Sequence, residues 1–125
     1  MPNSGLDKKL TGAWGEQQAA QFLRRQGYDI IGLNYRVRGG EIDIIARRGR
    51  FIVFAEVKTR RSGRFAAARE FVTAAKQRRL LLAAQLWLAE NPTGLQPRFD
   101  VIEVYARREA GEAQINHIEN AFCEG

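Results

Sequence analysis

The chain has 125 residues but only one cysteine, Cys123, and one histidine, His117. A lone cysteine excludes an internal disulfide framework. One His and one Cys also argue against a structural zinc site, which takes four such ligands. Long apolar runs are missing too. The longest, such as Leu80–Ala84, fall far short of the roughly 20 residues of a membrane span. Residues 1–10 mix charge with glycine and lack the apolar core of a signal peptide. A cytoplasmic protein with no membrane partner is the default expectation. Acidic charge is scarce in the middle of the chain. Between Arg47 and Arg64 lie seven basic residues and one acid, Glu56, whereas the segment after Arg108 has four acids and no Lys or Arg. The net charge is +6 and the pI about 10.1. Cations gathered this way are the footprint of a phosphate-backbone binder; the plainer alternative is a solvated face on a basic protein.

What is present reads as one domain over residues 1–125, with its core at about 8–106. A helix is expected from Lys8 to Gln26, stopped by Gly27. Strands are expected at Tyr28–Val37, Glu41–Ala46 and Phe51–Lys58. A second helix spans about Arg69–Glu90, with Val72, Ala75, Leu82 and Leu86 as its buried stripe. A strand at Arg98–Ala106 follows, and a weaker one at Gln114–Ile118. The expected fold class is α/β, a mixed sheet flanked by helices in the order α-β-β-β-α-β.

Chemistry concentrates in the second hairpin. Alternation puts Glu41, Asp43 and Ile45 on one face, and Ile52, Phe54, Glu56 and Lys58 on one face. With Arg47–Arg50 as a four-residue loop, Ala46 pairs with Phe51. Asp43 then faces Phe54, and Glu56 is its diagonal neighbour, roughly 7–8 Å away. Asp is a poor strand former, yet Asp43 is enclosed by Ile42, Ile44 and Ile45. Acids inside core-like strands point to a site, although cross-strand salt bridges would use the same residues. Two carboxylates and a lysine suit phosphodiester hydrolysis. Hard oxygens hold Mg²⁺ or Mn²⁺, the cation activates water, and the lysine orients or deprotonates that water or neutralises developing charge.

Glu16 falls on the inward face of the first helix with Ala13, Ala20 and Leu23. It either meets a cation, a metal or a polar cleft, or sits at the stripe's edge and reaches water. Arg36, Arg38, Arg60, Arg61 and Arg64 are candidate phosphate contacts. Lys76 and Arg79 share a face of the second helix. Trp14, Phe71, Trp87 and Phe99 read as core more than as stacking platforms. His117 reads as a surface residue, and Asp100 as structural.

The spacing Asp43, then Glu56-Val57-Lys58, resembles the PD-(D/E)xK motif of the restriction-endonuclease-like superfamily. The element order is also similar to that superfamily's core. Archaeal Holliday junction resolvases resemble this chain further in placing a Glu on the first helix. A closer resemblance is to the YraN-like family of small bacterial proteins. It runs from about Gly12 to Val104 and includes Gly15-Glu16, Asn34-Tyr35-Arg36, Gly40–Ala46, Phe54–Arg60, Lys76-Gln77 and Arg98–Val101. The proline that names the motif is absent, since Ile42 precedes Asp43. The resemblance implies metal ligation by Asp43, Glu56 and the Val57 carbonyl. It also implies a catalytic role for Lys58, an auxiliary one for Glu16, and a polar contribution from Lys76 or Gln77. It thus implies a Mg²⁺- or Mn²⁺-dependent endonuclease acting on DNA rather than RNA, with branched DNA among the candidate substrates. A nucleic-acid-binding protein that keeps the fold without cutting, and a protein-interaction domain, are the alternatives. The junction-cutting relatives act as symmetric dimers, so a homodimer stays open.

Overall fold

A computed structural model describes residues 4–60, 73–106 and 113–122, with side chains described from residue 12 onward. Helix α1 is Ser4–Arg25. Strands β1 (Asp29–Val37), β2 (Gly40–Arg48) and β3 (Phe51–Arg60) follow. Helix α2 (Ala74–Glu90) leads to strands β4 (Gln96–Ala106) and β5 (Ala113–Ile118). Arg61, Arg64, Phe71, Val72 and Cys123 lie outside the described residues, as does the first part of the expected second helix.

The five strands form one mixed sheet in the order β1-β2-β3-β4-β5. Only β3 and β4 run parallel; the other neighbours are antiparallel. A parallel pair needs a crossover, and α2 lies in it. The two helices cover opposite faces. Ala19, Ala20 and Leu23 of α1 pack on Ile44, Ala46, Val53, Ala55, Ile102 and Val104. Leu80, Ala83 and Ala84 of α2 pack on Ile42, Ile45, Ile52, Phe54 and Phe99. Strands β2 and β3 are therefore covered on both sides, which is why their sequences are apolar on both faces and not simply alternating. Helix α1 approaches the sheet closely at Gly15, where an added Cβ would overlap Thr59 Oγ1.

Three expectations need correction. The β2–β3 register is shifted by two residues: Ala46 pairs with Val53, and Arg48 with Phe51. The loop is Gly49-Arg50, with Gly49 at φ 58°. A glycine with positive φ at the first loop position lets two residues turn the chain, so Arg47 and Arg48 remain in the ladder. A shift of two preserves the faces. The buried stripe of α2 is also rotated. Leu82 and Leu86 are exposed, at 39% and 40%, and Ala75 is exposed. The run Leu80–Leu88 is apolar almost all round, so periodicity alone does not select the face. Finally, His117 is half-buried and not a surface residue, with its side chain only 10% exposed. Strand β5 pairs with β4 and places the His117 ring edge-on to Phe22 and Tyr28.

Candidate active site

The site forms where β2 and β3 part. Their paired residues end at Ile44 and Ala55. Continuing that register sets Asp43 level with Glu56, closer than the diagonal placement expected. In place of a further ladder bond, the Val57 N–H donates to Asp43 Oδ2 at 2.8 Å. Asp43, Glu56 and Lys58 line one cavity of about 120 Å³ together with Glu41, Lys76, Arg79 and Leu80. Thr73 caps α2 by accepting from the Lys76 N–H at 3.2 Å, which sets Lys76 in the first turn, where the exposed residue lines the cavity.

Charge in this cavity is poorly settled. Burial raises the Asp43 pKa most; the Val57 hydrogen bond lowers it; Glu16, Glu56 and Glu41 raise it further. The result is a carboxyl pushed up to about 6. Lys58 Nζ lies 3.1 Å from Glu56 Oε1. Burial opposes the Lys58 charge, but a hydrogen bond with Lys76 and the carboxylates of Glu56 and Asp43 outweigh it and raise its pKa. Lys76 is lowered, first by that same hydrogen bond and then by burial and by the Lys58 and Arg60 charges.

The cavity thus gathers Asp43, Glu56, Lys58 and Lys76. Val57 does not line it, but its N–H holds the Asp43 carboxylate. Glu16 is half-buried on α1 and lines a different groove, although its charge is felt at Asp43. Glu16 therefore meets a groove that also carries Gln17, Gln21, Arg24 and Asn34. Arg36 is exposed and lies 3.7 Å from Glu41 Oε2. Arg38 is exposed, while Arg60 and Gln77 are half-buried; none of these four lines the cavity. Two lining residues were not among the expected site residues. Glu41 lies two before Asp43 on one strand face, and Arg79 three after Lys76 on one helix face. Both spacings were available as signals. Among the described residues no three Asp, Glu, His or Cys side chains are grouped as metal ligands. The donor set is instead two carboxylates, which suits a cation that keeps several of its own waters.

The fold and cavity define an α/β protein with a carboxylate–lysine site at the parting of two central strands. The chain belongs to the uncharacterised protein family UPF0102, whose model matches residues 15–104. It is 52% identical over 112 residues to a UPF0102 protein of Syntrophotalea carbinolica, covering 89% of each chain. A UPF0102 protein of Symbiobacterium thermophilum is 51% identical over 115 residues, covering 91% of this chain and 97% of its own. One from Caldicellulosiruptor saccharolyticus is 42% identical over 118 residues, covering 94% and 100%. Among the described residues no helix is long and apolar enough to cross a membrane.

Proposed function

We propose that this protein is a metal-dependent nuclease that hydrolyses phosphodiester bonds in DNA, branched DNA included. The observation that carries this reading is the convergence of Asp43, Glu56 and Lys58 in one cavity. Even with Lys58 beside Glu56, burial and the neighbouring carboxylates push Asp43 up to about 6, a strain that a cation held between the two acids would relieve. Asp43 and Glu56 would hold Mg²⁺ or Mn²⁺. The Val57 carbonyl is a fitting third ligand, because a strand residue's carbonyl points to the same side as its N–H, here toward the gap beside Asp43. Such a cation supplies Lewis acidity, lowering the pKa of water and drawing charge from phosphoryl oxygens.

The chain's own groups supply the rest. Lys58, held at Glu56, is in reach of whatever that carboxylate binds, and its ammonium neutralises charge that develops on the phosphate. Lys76 and Arg79 hold the flanking phosphate oxygens. Helix α2 opens with Lys76, Arg78 and Arg79 and has no acid in its first turn. Cations at the positive end of a helix are unfavourable by about 0.3–1 kcal/mol each; an arriving phosphate relieves all of them. Arg36, Arg38, Arg60 and Gln77 extend the phosphate contacts beyond the cavity, and Glu16 acts on the site through its charge. The reading places the protein in the cytoplasm with its substrate.

Cleavage of labelled branched and linear DNA with Mg²⁺ or Mn²⁺ tests this. Wild type should cut, and Asp43→Ala and Lys58→Ala should each lose on the order of 10²–10³-fold or more. Equal cutting by all three would reject the site. Binding with a steep salt dependence and no cutting would instead favour a non-catalytic DNA-binding protein.

A further inference from the structure

A second groove lies on the other face of the sheet, between α1 and the edge strand β1. It has a volume of about 600 Å³ and is lined by Trp14, Gln17, Gln21 and Arg24 from the helix and by Leu33 and Asn34 from the strand, among others. The four helix residues follow at spacings of three, four and three, so they form a single stripe. At about 1.5 Å per residue the stripe is about 15 Å long. Gln17, Gln21 and Arg24 are exposed. Trp14 packs against the core and also forms part of the groove wall.

Although it lies on the opposite face, the groove reaches edge strand β1 level with the cavity. Leu33 and Tyr35 pair with Ile44 and Ile42, which sets Asn34 level with Asp43, at a strand spacing of about 4.8 Å. Asn34 also adopts φ 51°, in the left-handed region, although it lies inside a strand. Backbone held in this way collects at binding and catalytic sites. Glu16 lines the groove and is the only acid among its described lining residues.

Resting on the nuclease reading, we propose that this groove is a second subsite that holds single-stranded nucleic acid leading away from the bond to be cut. An indole face takes an unpaired base by stacking. The amides of Gln17, Gln21 and Asn34 match the donor and acceptor edges of bases, and Arg24 takes a phosphate. A duplex offers no free base face, so the indole would go unused. At about 3.4 Å per stacked nucleotide, the stripe spans about four nucleotides. Among the described lining residues one cation stands against one acid, so their contribution to binding depends only weakly on salt.

The test uses a short fluorescein-labelled oligothymidine in EDTA, with anisotropy as one readout. Intrinsic fluorescence is the other, in a Trp87→Phe background that leaves Trp14 as the lone tryptophan. We expect the oligonucleotide to quench Trp14. Gln17→Glu combined with Gln21→Glu, both at exposed positions, should weaken binding about tenfold and abolish the quenching. Affinity within twofold of wild type with no quenching would overturn the proposal. So would Trp14 emission that changes with protein concentration alone, alongside a doubled mass in sedimentation, since the groove would then hold a second copy of the chain. Oligonucleotide binding and quenching without any Mg²⁺- or Mn²⁺-dependent cutting would remove the nuclease and leave the groove. Cutting by wild type with unaltered oligonucleotide binding by the double variant would do the reverse.

Discussion

Asp43 and Asp100 are carboxylates on opposite faces of one sheet, and their surroundings have opposite effects. Asp100 is fully buried. It accepts two hydrogen bonds from Arg98, at 3.0 and 2.9 Å, one from the Asn120 N–H at 3.0 Å, and bonds His117 Nε2 at 2.7 Å. Burial raises its pKa, but the bonds to His117, Arg98 and Asn120 win and hold it below the usual carboxylate range. Arg98 in turn bonds the Tyr28 hydroxyl at 2.6 Å. Asp43 has one backbone bond and three acids around it, and its pKa rises to about 6. A buried acid that is fully satisfied holds a fold together. A partly buried one with a single hydrogen bond, and with neighbouring carboxylates opposing its charge, is held less favourably, and such groups are candidates for a functional site.

The largest effect expected from this contrast is at Asp100. Asp100→Ala leaves Arg98 buried beside an empty space and should cost about 3–5 kcal/mol, read as a shift in the urea midpoint. The pH dependence has a definite sign. A depressed native pKa means that the stabilisation is complete above the unfolded value of about 3.9 and fades as pH falls through the native one. Wild type should lose stability on that acid limb, and Asp100→Asn should flatten it.

Asp43 should behave in the opposite way. Its raised pKa means that the native state binds the proton more tightly than the unfolded chain. Asp43 therefore destabilises the protein above about pH 6, and the penalty disappears as pH falls toward 4. Asp43→Asn keeps an oxygen for the Val57 N–H and removes the charge. It should stabilise the protein by about 1–3 kcal/mol at pH 8 and by almost nothing near pH 4. It should also abolish any rise in melting temperature with Mg²⁺, which wild type should show if the cation binds the folded form alone. A destabilised Asn variant at pH 8 would mean that Asp43 is a structural acid like Asp100.

Much of this contrast was legible in the sequence. An Asp among three isoleucines, followed by Glu-x-Lys after an apolar run, located the cavity because a register shift of two leaves the strand faces unchanged. The register itself was not legible. A four-residue loop and a two-residue loop differ by the conformation of Gly49, and composition does not choose between them. The α2 face was hidden because Leu80–Leu88 offers apolar residues in every direction. The structural reading of Asp100 rests on an expected place near the start of a strand, whereas it lies inside β4, whose first residue is Gln96. Its partner was not legible: His117 sits in a short strand of mixed residues, and only pairing with β4 brings it beneath Tyr28 and Phe22.

The smallest expected effect lies at the rim of the Asp100 network. Tyr28→Phe removes the hydroxyl that accepts from Arg98 but keeps a ring under the Arg48 guanidinium, 4.4 Å from its centroid, and keeps Asp100 as the main partner of Arg98. The loss should be about 1 kcal/mol, or a few degrees in melting temperature. The informative quantity is its coupling to Asp100→Asn in a double-mutant cycle. If the network acts as a unit, the pair should differ from additivity by about 0.5–3 kcal/mol. If the effects simply add, Tyr28 packs beside the network without belonging to it, and the satisfaction of Asp100 rests on Arg98, His117 and Asn120 alone.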